Sequence, residues 1–424
     1  MEPILNTFTK ALIRIKTHPV SIIYVLTFLA VVVAPVYTTS VRIFFHGYGY
    51  DDFHILMKAG MRIFQGELIY NAQEMASDVP YLYAPFSAYL MGIYHVLFPD
   101  GAWARLVWTL LSYLAFGGTL KLCANIMREI FQEKLPWFFY PVVIFLCFRY
   151  FLSNLQNGQV NAFLAFFMAL SLYCLFYEKN FWAGAVLAFA SLIKLPLLIF
   201  LLFFIFLKKW RALGAFVITT FVLLLLPALH LGWNENIFYL QQWQEALHTK
   251  SQAIFTYFKN YSNQSLVCFY GRLIELLWPN LEYKKFYFYT YAVSILTAIP
   301  MILGSFYIYL TRVKSSGIKF FGLASCLLVL MVILSPAAWK ATFMHLLLPY
   351  SFILMFWWKF EKSSCFIPLL LILSFGFSSL INKEIFLGMG GDLNILIHKL
   401  SFIFFSAVIV FAGLWVLPFR KQNL

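Results

Sequence analysis

Charged residues are scarce in this sequence, since Asp, Glu, Lys and Arg make up only 11% of its 424 residues, against about 25% in a soluble domain. That scarcity excludes a disordered or coiled-coil protein, because both are rich in charge. The six cysteines are scattered and form no CxxC pair or Cys/His cluster, so neither a zinc site nor a disulfide framework is indicated. Hydrophobic residues, by contrast, make up 62% of the chain, too many for a water-facing globule.

These hydrophobic residues occur in uncharged runs long enough to cross a bilayer core of about 30 Å. The clearest runs cover residues 19–41, 286–311, 320–339, 363–382 and 400–419. Runs of this length are typical of transmembrane helices. The sequence therefore predicts an all-α polytopic membrane protein, with residues 1–424 forming a single integral membrane domain.

The net charge of +14 would suit a nucleic-acid-binding protein, but in a membrane chain excess Lys and Arg mark cytoplasmic loops. Cationic loops fall at every second turn of the second half, at residues 208–211, 312–319, 359–362 and 420–421. Lys10, Arg14 and Lys16 precede the first run, which is a full span without a cleavage site. We therefore predict an uncleaved first helix, both termini in the cytoplasm, and no nucleic-acid partner.

One stretch, residues 83–98, could either span the membrane or dip back into the outer leaflet. If it does not span, the cationic segment 121–134 becomes cytoplasmic. The run 181–207 then splits at Lys194 into two short helices whose junction lies at the outer surface. This arrangement gathers most of the positive charge inside, and it predicts about twelve membrane helices.

Two sizeable segments, residues 42–105 and 232–285, then lie outside the membrane and hold more than half of the acidic residues. The first carries the adjacent carboxylates of Asp51 and Asp52. They are followed by a helical apolar face that fits an interfacial helix. One Asp could act as a general base toward a hydroxyl group, or the pair could cap that helix. The concentration of polar residues predicts that the protein works at this outer face.

Further groups at the outer face could bind a substrate. The amides of residues 154–161 could hydrogen-bond a sugar or form a polar turn between helices. Lys194, which stands among apolar residues and before Pro196, could meet a lipid-linked phosphate or reach the interface as a snorkelling side chain. The segments 260–272 and 335–340 each place a cation beside polar or aromatic groups.

Short motifs, taken together and in order, carry a resemblance to a known family. In chain order they are Asp52, Phe53, Ala59, Gly66 and Tyr70; Tyr81, Tyr83 and Pro85; residues 157–161; Gly184, Lys194, Leu195 and Pro196; residues 208–212; Asn263, Gln264, Ser265, Leu266 and Arg272; and Ser335, Pro336 and Trp339. This series resembles glycosyltransferase family 87, polytopic enzymes of the GT-C fold typified by polyprenyl-phosphate-mannose-dependent mannosyltransferases. The chain departs from the family at Ala341 and Thr342, where members usually carry His, and His345 one turn further on could substitute. Ala84 also precedes Pro85 where members have a pair of prolines.

The resemblance implies a hexosyltransferase on the extracytoplasmic side of the cytoplasmic membrane, and mannose is the sugar that the family suggests. Its donor would be a polyprenyl-phosphate sugar, and its acceptor a hydroxyl of a glycolipid or glycan. Asp52 would take the acceptor's proton, and the oxygen would attack the anomeric carbon with inversion. Lys194, Arg272 and Lys340 would meet the departing phosphate. Substrate contacts are expected from Asp51, Tyr83, Asn157, Gln159, Asn161, Asn263, Gln264, Trp339 and His345.

No cofactor or metal site is predicted, because the three cations can neutralise a leaving phosphate, although Asp51 beside Asp52 leaves metal assistance open. Two other functions also stay open. One is a flippase or transporter of lipid-linked sugars, which charges along an intramembrane path would favour. The other is a non-catalytic membrane protein of envelope assembly, which a degenerate site would favour.

Overall fold

The computed structural model describes residues 19–28, 33, 51–70, 81–252, 261–380, 396 and 398–420, and its regular secondary structure in these ranges is helical. The first described helices are α1 (Pro19–Phe28), α2 (Asp52–Gln65), α3 (Pro85–Leu97), α4 (Gly101–Phe131), α5 (Phe139–Asn157), α6 (Asn161–Phe176) and α7 (Asn180–Ile193). A 3₁₀ turn (Leu195–Ile199) precedes α8 (Phe200–Phe206), α9 (Trp210–Leu225), α10 (Ala228–Leu231), α11 (Trp233–Gln252) and α12 (Leu266–Leu277). The last helices are α13 (Tyr283–Arg312), α14 (Ser316–Leu334), a 3₁₀ segment (Lys340–Leu346), α15 (Leu347–Phe360), α16 (Phe366–Phe375) with a π-helical turn (Gly376–Leu380), and α17 (Phe402–Arg420).

Within these ranges, 6 helical segments are long and apolar enough to cross a membrane. They are Gly101–Phe131, Trp210–Leu231, Tyr283–Arg312, Ser316–Leu334, Lys340–Phe360 and Phe402–Arg420. Shorter apolar helices accompany them at Asn161–Phe176, Asn180–Ile193, Leu195–Phe206 and Phe366–Ser379. The protein is thus a polytopic all-α membrane protein, as the sequence predicts, and the number of twelve spans stays a prediction.

The bundle has two distinct ends, and the 31 residues of α4 connect them over about 46 Å. The end at which α4 stops holds three ion pairs, Glu133–Lys359, Glu178–Lys209 and Glu361–Arg420. The rings of Phe176, at the end of α6, and Phe320, near the start of α14, also pack there, with their centres 5.9 Å apart. At the end where α4 begins, Arg105 pairs with Asp51. We call the first end the ion-pair end.

The chain reverses direction at Lys194. α7 stops just before this residue, Lys194 adopts an extended conformation, and Pro196 follows in the 3₁₀ turn that leads into α8. Proline disfavours the continuation of a helix, because it lacks a backbone N–H group and its ring crowds the preceding turn. Lys209 after α8 pairs with Glu178 before α7 at 2.8 Å, so the two short helices form a hairpin with Lys194 at its tip. The predicted split at Lys194 is confirmed.

The first outer segment is built on the helix pair α2 and α3. α2 covers the stretch whose apolar face predicts a helix, and it buries Phe53 and Ile63. α3 packs antiparallel to it, with Gly60 and Gly92 at the contact. A Cβ added to Gly60 would lie 2.5 Å from the backbone nitrogen of Gly92. The close approach of the two helices therefore depends on these glycines having no side chain.

α3 lies within residues 83–98, the stretch that by sequence could either span the membrane or dip back into the outer leaflet. It has only 13 residues, or about 20 Å of helix, which is short of a bilayer core of about 30 Å. Ser87 near its start donates to the Leu192 carbonyl at 3.1 Å, and Tyr94 near its end donates to the Ala104 carbonyl at 2.7 Å. The start of α3 therefore lies against the end of α7, and its end lies against the start of α4.

Candidate functional site

A cavity of about 230 Å³ opens at the end of the bundle where α4 begins. Asp52, Gln159 and Lys194 form its polar wall, and they come from three segments far apart in sequence. Aromatic side chains line it at Tyr83, Trp243 and Trp339, and apolar side chains at Ile55, Leu82, Leu192, Ile193, Leu195, Pro196 and Leu247. The cavity thus combines an acid, a cation and an amide with a largely apolar and aromatic surface, the composition of a small-molecule site.

One chain of hydrogen bonds links the polar side chains. Gln159 donates to Oδ2 of Asp52 at 2.8 Å, and its own carbonyl oxygen accepts from Asn161 at 2.6 Å. Lys194 in turn donates to Oδ1 of Asn161 at 3.0 Å and to the hydroxyl of Thr342 at 3.4 Å. The carboxylate and the ammonium group are therefore held apart by two amides, so neither neutralises the other by direct contact.

The two adjacent carboxylates have different partners. Asp51 precedes α2 as its N-cap, accepting from the His54 backbone N–H at 3.0 Å, and its other oxygen lies 2.9 Å from Arg105. The capping interpretation is therefore confirmed for Asp51. Asp52 is the first residue of α2 and lines the cavity. Asp51, expected to contact substrate, does not line it.

Arg105 ties together the segments that carry Asp52 and Gln159. Its side chain is 3% exposed and donates to the Leu155 carbonyl near the end of α5 at 2.9 Å. Its guanidinium group also lies 5.2 Å from the centre of the Phe53 ring. The sequence reading missed this residue. The only sequence signal is a cation at the outer start of a long apolar run, which is usually a membrane boundary residue.

The turn after α5 brings Gln159 to the cavity. α5 ends at Gly158, whose φ of 59° is left-handed, and the Gln159 N–H then bonds back to the Asn154 carbonyl at 3.0 Å. The Asn154 side chain accepts a hydrogen bond of 3.2 Å from the backbone N–H of Ala162, which belongs to the next helix, α6. The amide-rich segment is thus both a polar turn, through Asn154, and a cavity wall, through Gln159.

We expect Gly158→Ala to destabilise the protein far more than Gly66→Ala. Both glycines have positive φ, which costs an alanine about 1–2 kcal/mol. A Cβ at Gly66 meets nothing within 4 Å, whereas one at Gly158 would lie 1.6 Å from the Arg105 guanidinium and 2.5 Å from Cβ of Phe53. Thermal unfolding of both variants in detergent measures the difference. Equal losses of stability would contradict the packing of Arg105 on Gly158.

Protonation at the cavity follows from burial. Burial raises the pKa of the Asp52 carboxyl above its ordinary value, and the hydrogen bond from Gln159 and the charge of Lys194 oppose that rise. Burial, and then the Asp52 carboxylate, also raises the pKa of the Tyr83 phenol. Tyr83 therefore stays protonated at neutral pH and can donate a hydrogen bond to a bound molecule.

Several residues expected to touch substrate lie elsewhere. Asn157 is exposed and donates to the Ser153 carbonyl of its own helix at 2.8 Å. Asn263 is fully buried, and its amide bonds to the Pro336 carbonyl at 2.9 Å and the Ala338 N–H at 3.0 Å. Gln264 is also buried, and it donates to the Tyr261 and His398 carbonyls at 2.7 and 3.0 Å. The Asn263 side chain thus supports the loop that carries Trp339 from behind, and the Gln264 backbone N–H also donates to that loop, at the Ala338 carbonyl 2.8 Å away.

The other two cations expected to meet the phosphate do not line the cavity. Arg272 donates to the Ser401 hydroxyl at 2.8 Å and to the Asn263 carbonyl at 3.0 Å, so it braces the same supporting loop. Lys340 begins the 3₁₀ segment that follows Trp339. His345 is buried later in that segment. Thr342 is the member of the segment that bonds Lys194.

Among the described residues, no group of three or more His, Cys, Asp or Glu side chains is placed to hold a metal ion. Asp51, the carboxylate nearest to Asp52 in sequence, is engaged by Arg105.

The site thus places an acid, amides and a cation around a small, partly aromatic cavity in a bundle of apolar helices. In the comparison with protein families, the model of glycosyltransferase family 87 matches residues 81–336. The match covers more than half of the chain, and the chain belongs to glycosyltransferase family 87. It includes Gln159 and Lys194 and begins after Asp52.

A more specific similarity exists to a curated protein, the alpha-(1->3)-arabinofuranosyltransferase of Corynebacterium glutamicum. The two sequences are 30% identical over 171 residues, which cover 38% of this chain and 38% of that relative. The chain therefore matches well under half of that relative's length. The relative's name states that it transfers arabinofuranose, whereas the family resemblance of the sequence suggests mannose.

Proposed function

We propose that this protein transfers a sugar from a polyprenyl-phosphate donor to a hydroxyl of a glycolipid or glycan acceptor, with inversion at the anomeric carbon. The observation that carries the proposal is that Asp52 and Lys194 line the same cavity without touching each other. Gln159 and Asn161 connect them through hydrogen bonds. A base and a phosphate-binding cation on one small cavity are the two groups that such a transfer requires.

Asp52 is the proposed general base. The acceptor hydroxyl gives its proton to the free oxygen of Asp52 as it bonds to the anomeric carbon, and the bond from that carbon to the phosphate oxygen breaks. Gln159 fixes the other oxygen of Asp52, so the carboxylate keeps one orientation throughout the reaction. Such a base contributes about 10²- to 10⁴-fold to a rate.

Lys194 is the proposed partner of the donor phosphate. Its tip position between α7 and α8 places it on the cavity wall beside apolar Ile193, Leu195 and Pro196. A polyprenyl chain could lie against these residues while its phosphate faces the ammonium group. The developing negative charge on the leaving phosphate is then stabilised where it forms, which is commonly the largest catalytic contribution.

The donor sugar is proposed to be a hexose, mannose by resemblance, stacked on the aromatic wall. Purified protein with native membranes as acceptor source, given radiolabelled polyprenyl-phosphate mannose or polyprenyl-phosphate arabinofuranose, tests this. We expect label to move from the donor into larger glycans with mannose. Transfer of arabinofuranose but not of mannose would show that the donor sugar is a pentose and not a hexose. Movement of the donor across the membrane of vesicles without any sugar transfer would contradict the proposed enzyme activity and favour a transporter.

The cavity end is proposed to face the extracytoplasmic side of the cytoplasmic membrane. Gathering of the cationic loops at the ion-pair end supports this orientation. Cys365 is the one exposed cysteine of the six and lies near that end, so we expect an impermeant maleimide to label it only after cells are permeabilised. In a Cys365→Ser background, Trp278→Cys should label in intact cells and Glu129→Cys should not.

Each labelling result has a distinct meaning. Labelling of Cys365 in intact cells would invert the proposed orientation. Labelling of Glu129→Cys alone would indicate that the stretch 83–98 crosses the membrane. Position 73, the other outer site that the sequence suggests for labelling, lies outside the described residues.

We expect the transfer rate to fall on the acid side at a pH above the ordinary aspartate pKa of about 3.9. The base must be deprotonated to act, and burial raises the pKa of Asp52, so activity is lost as the pH falls through that raised value. Gln159→Met removes a hydrogen bond that favours the carboxylate, and it should move the acid limb to higher pH. Asn157→Ala, an exposed amide of the same turn, should leave the profile unchanged. An unshifted limb in Gln159→Met would show that another group titrates.

A further inference from the structure

A second concave surface lies at the ion-pair end, opposite the cavity. It is a groove of about 740 Å³ between the first turns of α7 and α9. Its wall contains Lys179, Arg211 and Trp182, with Gly214 and Ile218 among the residues along α9. The groove is open on one side and none of its residues belongs to the proposed transfer site. It therefore needs an explanation of its own.

The mouth of the groove is positively charged. Lys179 and Arg211 are both exposed, and within the described parts of the chain neither forms an ion pair. The one acid of the wall, Glu178, is held by Lys209 at 2.8 Å. Two cations are therefore left to attract an anion, and an arginine is well suited to grip a phosphate with two N–H groups.

Away from its mouth, the groove is apolar. Trp182 is 60% exposed and Ile218 is 62% exposed, and α9 belongs to a segment apolar enough to cross a membrane. Gly214 lies between the charged and the apolar parts, and a Cβ added to it would meet nothing within 4 Å. The missing side chain leaves a channel in which a hydrocarbon chain can lie along the helix.

We propose that this groove binds an anionic diacyl phospholipid from the surrounding membrane. The headgroup phosphate lies between Lys179 and Arg211, and one acyl chain follows the channel past Gly214 to Ile218. Charge complementarity at the mouth and an apolar floor select this occupant, since basic pockets between membrane helices on the cytoplasmic side, the side proposed above for this end, commonly hold anionic headgroups. The lipid is not a substrate, and the proposal does not depend on the transfer reaction.

Native mass spectrometry of the detergent-purified chain tests this with phosphatidylglycerol and with phosphatidylcholine of the same acyl chains. We expect retained phosphatidylglycerol and a raised unfolding temperature, and neither effect with phosphatidylcholine. Lys179→Gln and Arg211→Gln should each weaken binding about fivefold, and the double variant about 25-fold. Lys208→Gln removes an exposed cation that precedes α9 but does not line the groove, and this variant should bind phosphatidylglycerol normally.

A second pair of variants tests the channel without changing charge. Gly214→Phe fills the groove and should abolish lipid retention, while Gly117→Phe, an exposed glycine of α4 with equally open surroundings, should retain it and controls for folding. Equal binding of both lipids, or full binding by the double Gln variant, would overturn the proposal. Equal stabilisation by inorganic phosphate alone would contradict lipid binding and indicate a simple anion site.

Discussion

Asp52→Asn is expected to lower sugar transfer by about 10²- to 10⁴-fold, because it removes the base that takes the acceptor's proton. The substitution keeps the shape of the side chain, and the remaining amide oxygen can still accept the hydrogen bond from Gln159 that is 2.8 Å long in the structure. The cavity wall should therefore stay intact. The measurement is the initial rate of label transfer from the polyprenyl-phosphate sugar, with the unfolding temperature recorded in parallel.

Asp51→Asn is the matched control, since the same change is made one residue away. Asp51 pairs with the buried Arg105 instead of lining the cavity. Neutralising it leaves a buried cation without its carboxylate, a change that can cost about 3–5 kcal/mol of stability. We therefore expect measurable transfer at low temperature together with a lower unfolding temperature.

The comparison of the two variants decides between three arrangements. Loss of rate without loss of stability in Asp52→Asn, and the reverse in Asp51→Asn, supports separate roles. Equal loss of rate in both would indicate a shared carboxylate or metal site. Normal transfer by Asp52→Asn would remove Asp52 from the chemistry altogether.

Lys194→Met is expected to lower kcat/KM by about 10²- to 10³-fold, since removal of one group that stabilises developing negative charge has an effect of that size. The apparent KM for the donor should rise and kcat should fall, because the ammonium group meets the phosphate both before and during its departure. Methionine nearly matches the lysine stem in length and keeps the apolar contacts beside Pro196. Steady-state kinetics with varied donor concentration measure both constants.

Two companion variants separate charge from packing at this position. Lys194→Arg keeps the charge with altered geometry and should retain part of the activity. Thr342→Val removes the weaker of the two hydrogen bonds from Lys194, 3.4 Å long, so it should have a much smaller effect. Unchanged donor kinetics in Lys194→Met would make the lysine a snorkelling anchor and remove it from phosphate binding.

The sequence alone determined the features that depend on neighbours along the chain. Uncharged apolar runs predicted membrane helices because their length matches the bilayer. Pro196 predicted the break at Lys194, because a proline lacks the N–H group that an unbroken helix uses and disfavours a helical conformation in nearby preceding residues. The helix after Asp52, its capping aspartate and the turn at Gly158 are likewise local in origin.

Only the tertiary structure decided which candidate residues meet. Asp52, Gln159 and Lys194 are separated by many residues, and helix packing alone brings them to one cavity. The same packing sends Asn263 and Arg272 behind the wall to support it and gives Arg105 its place between two loops. A motif records the residue type at a position, and its side chain can touch a substrate or hold a loop with the same hydrogen-bonding groups. Which of the two it does depends on contacts between distant segments, and spacing along one chain does not contain them.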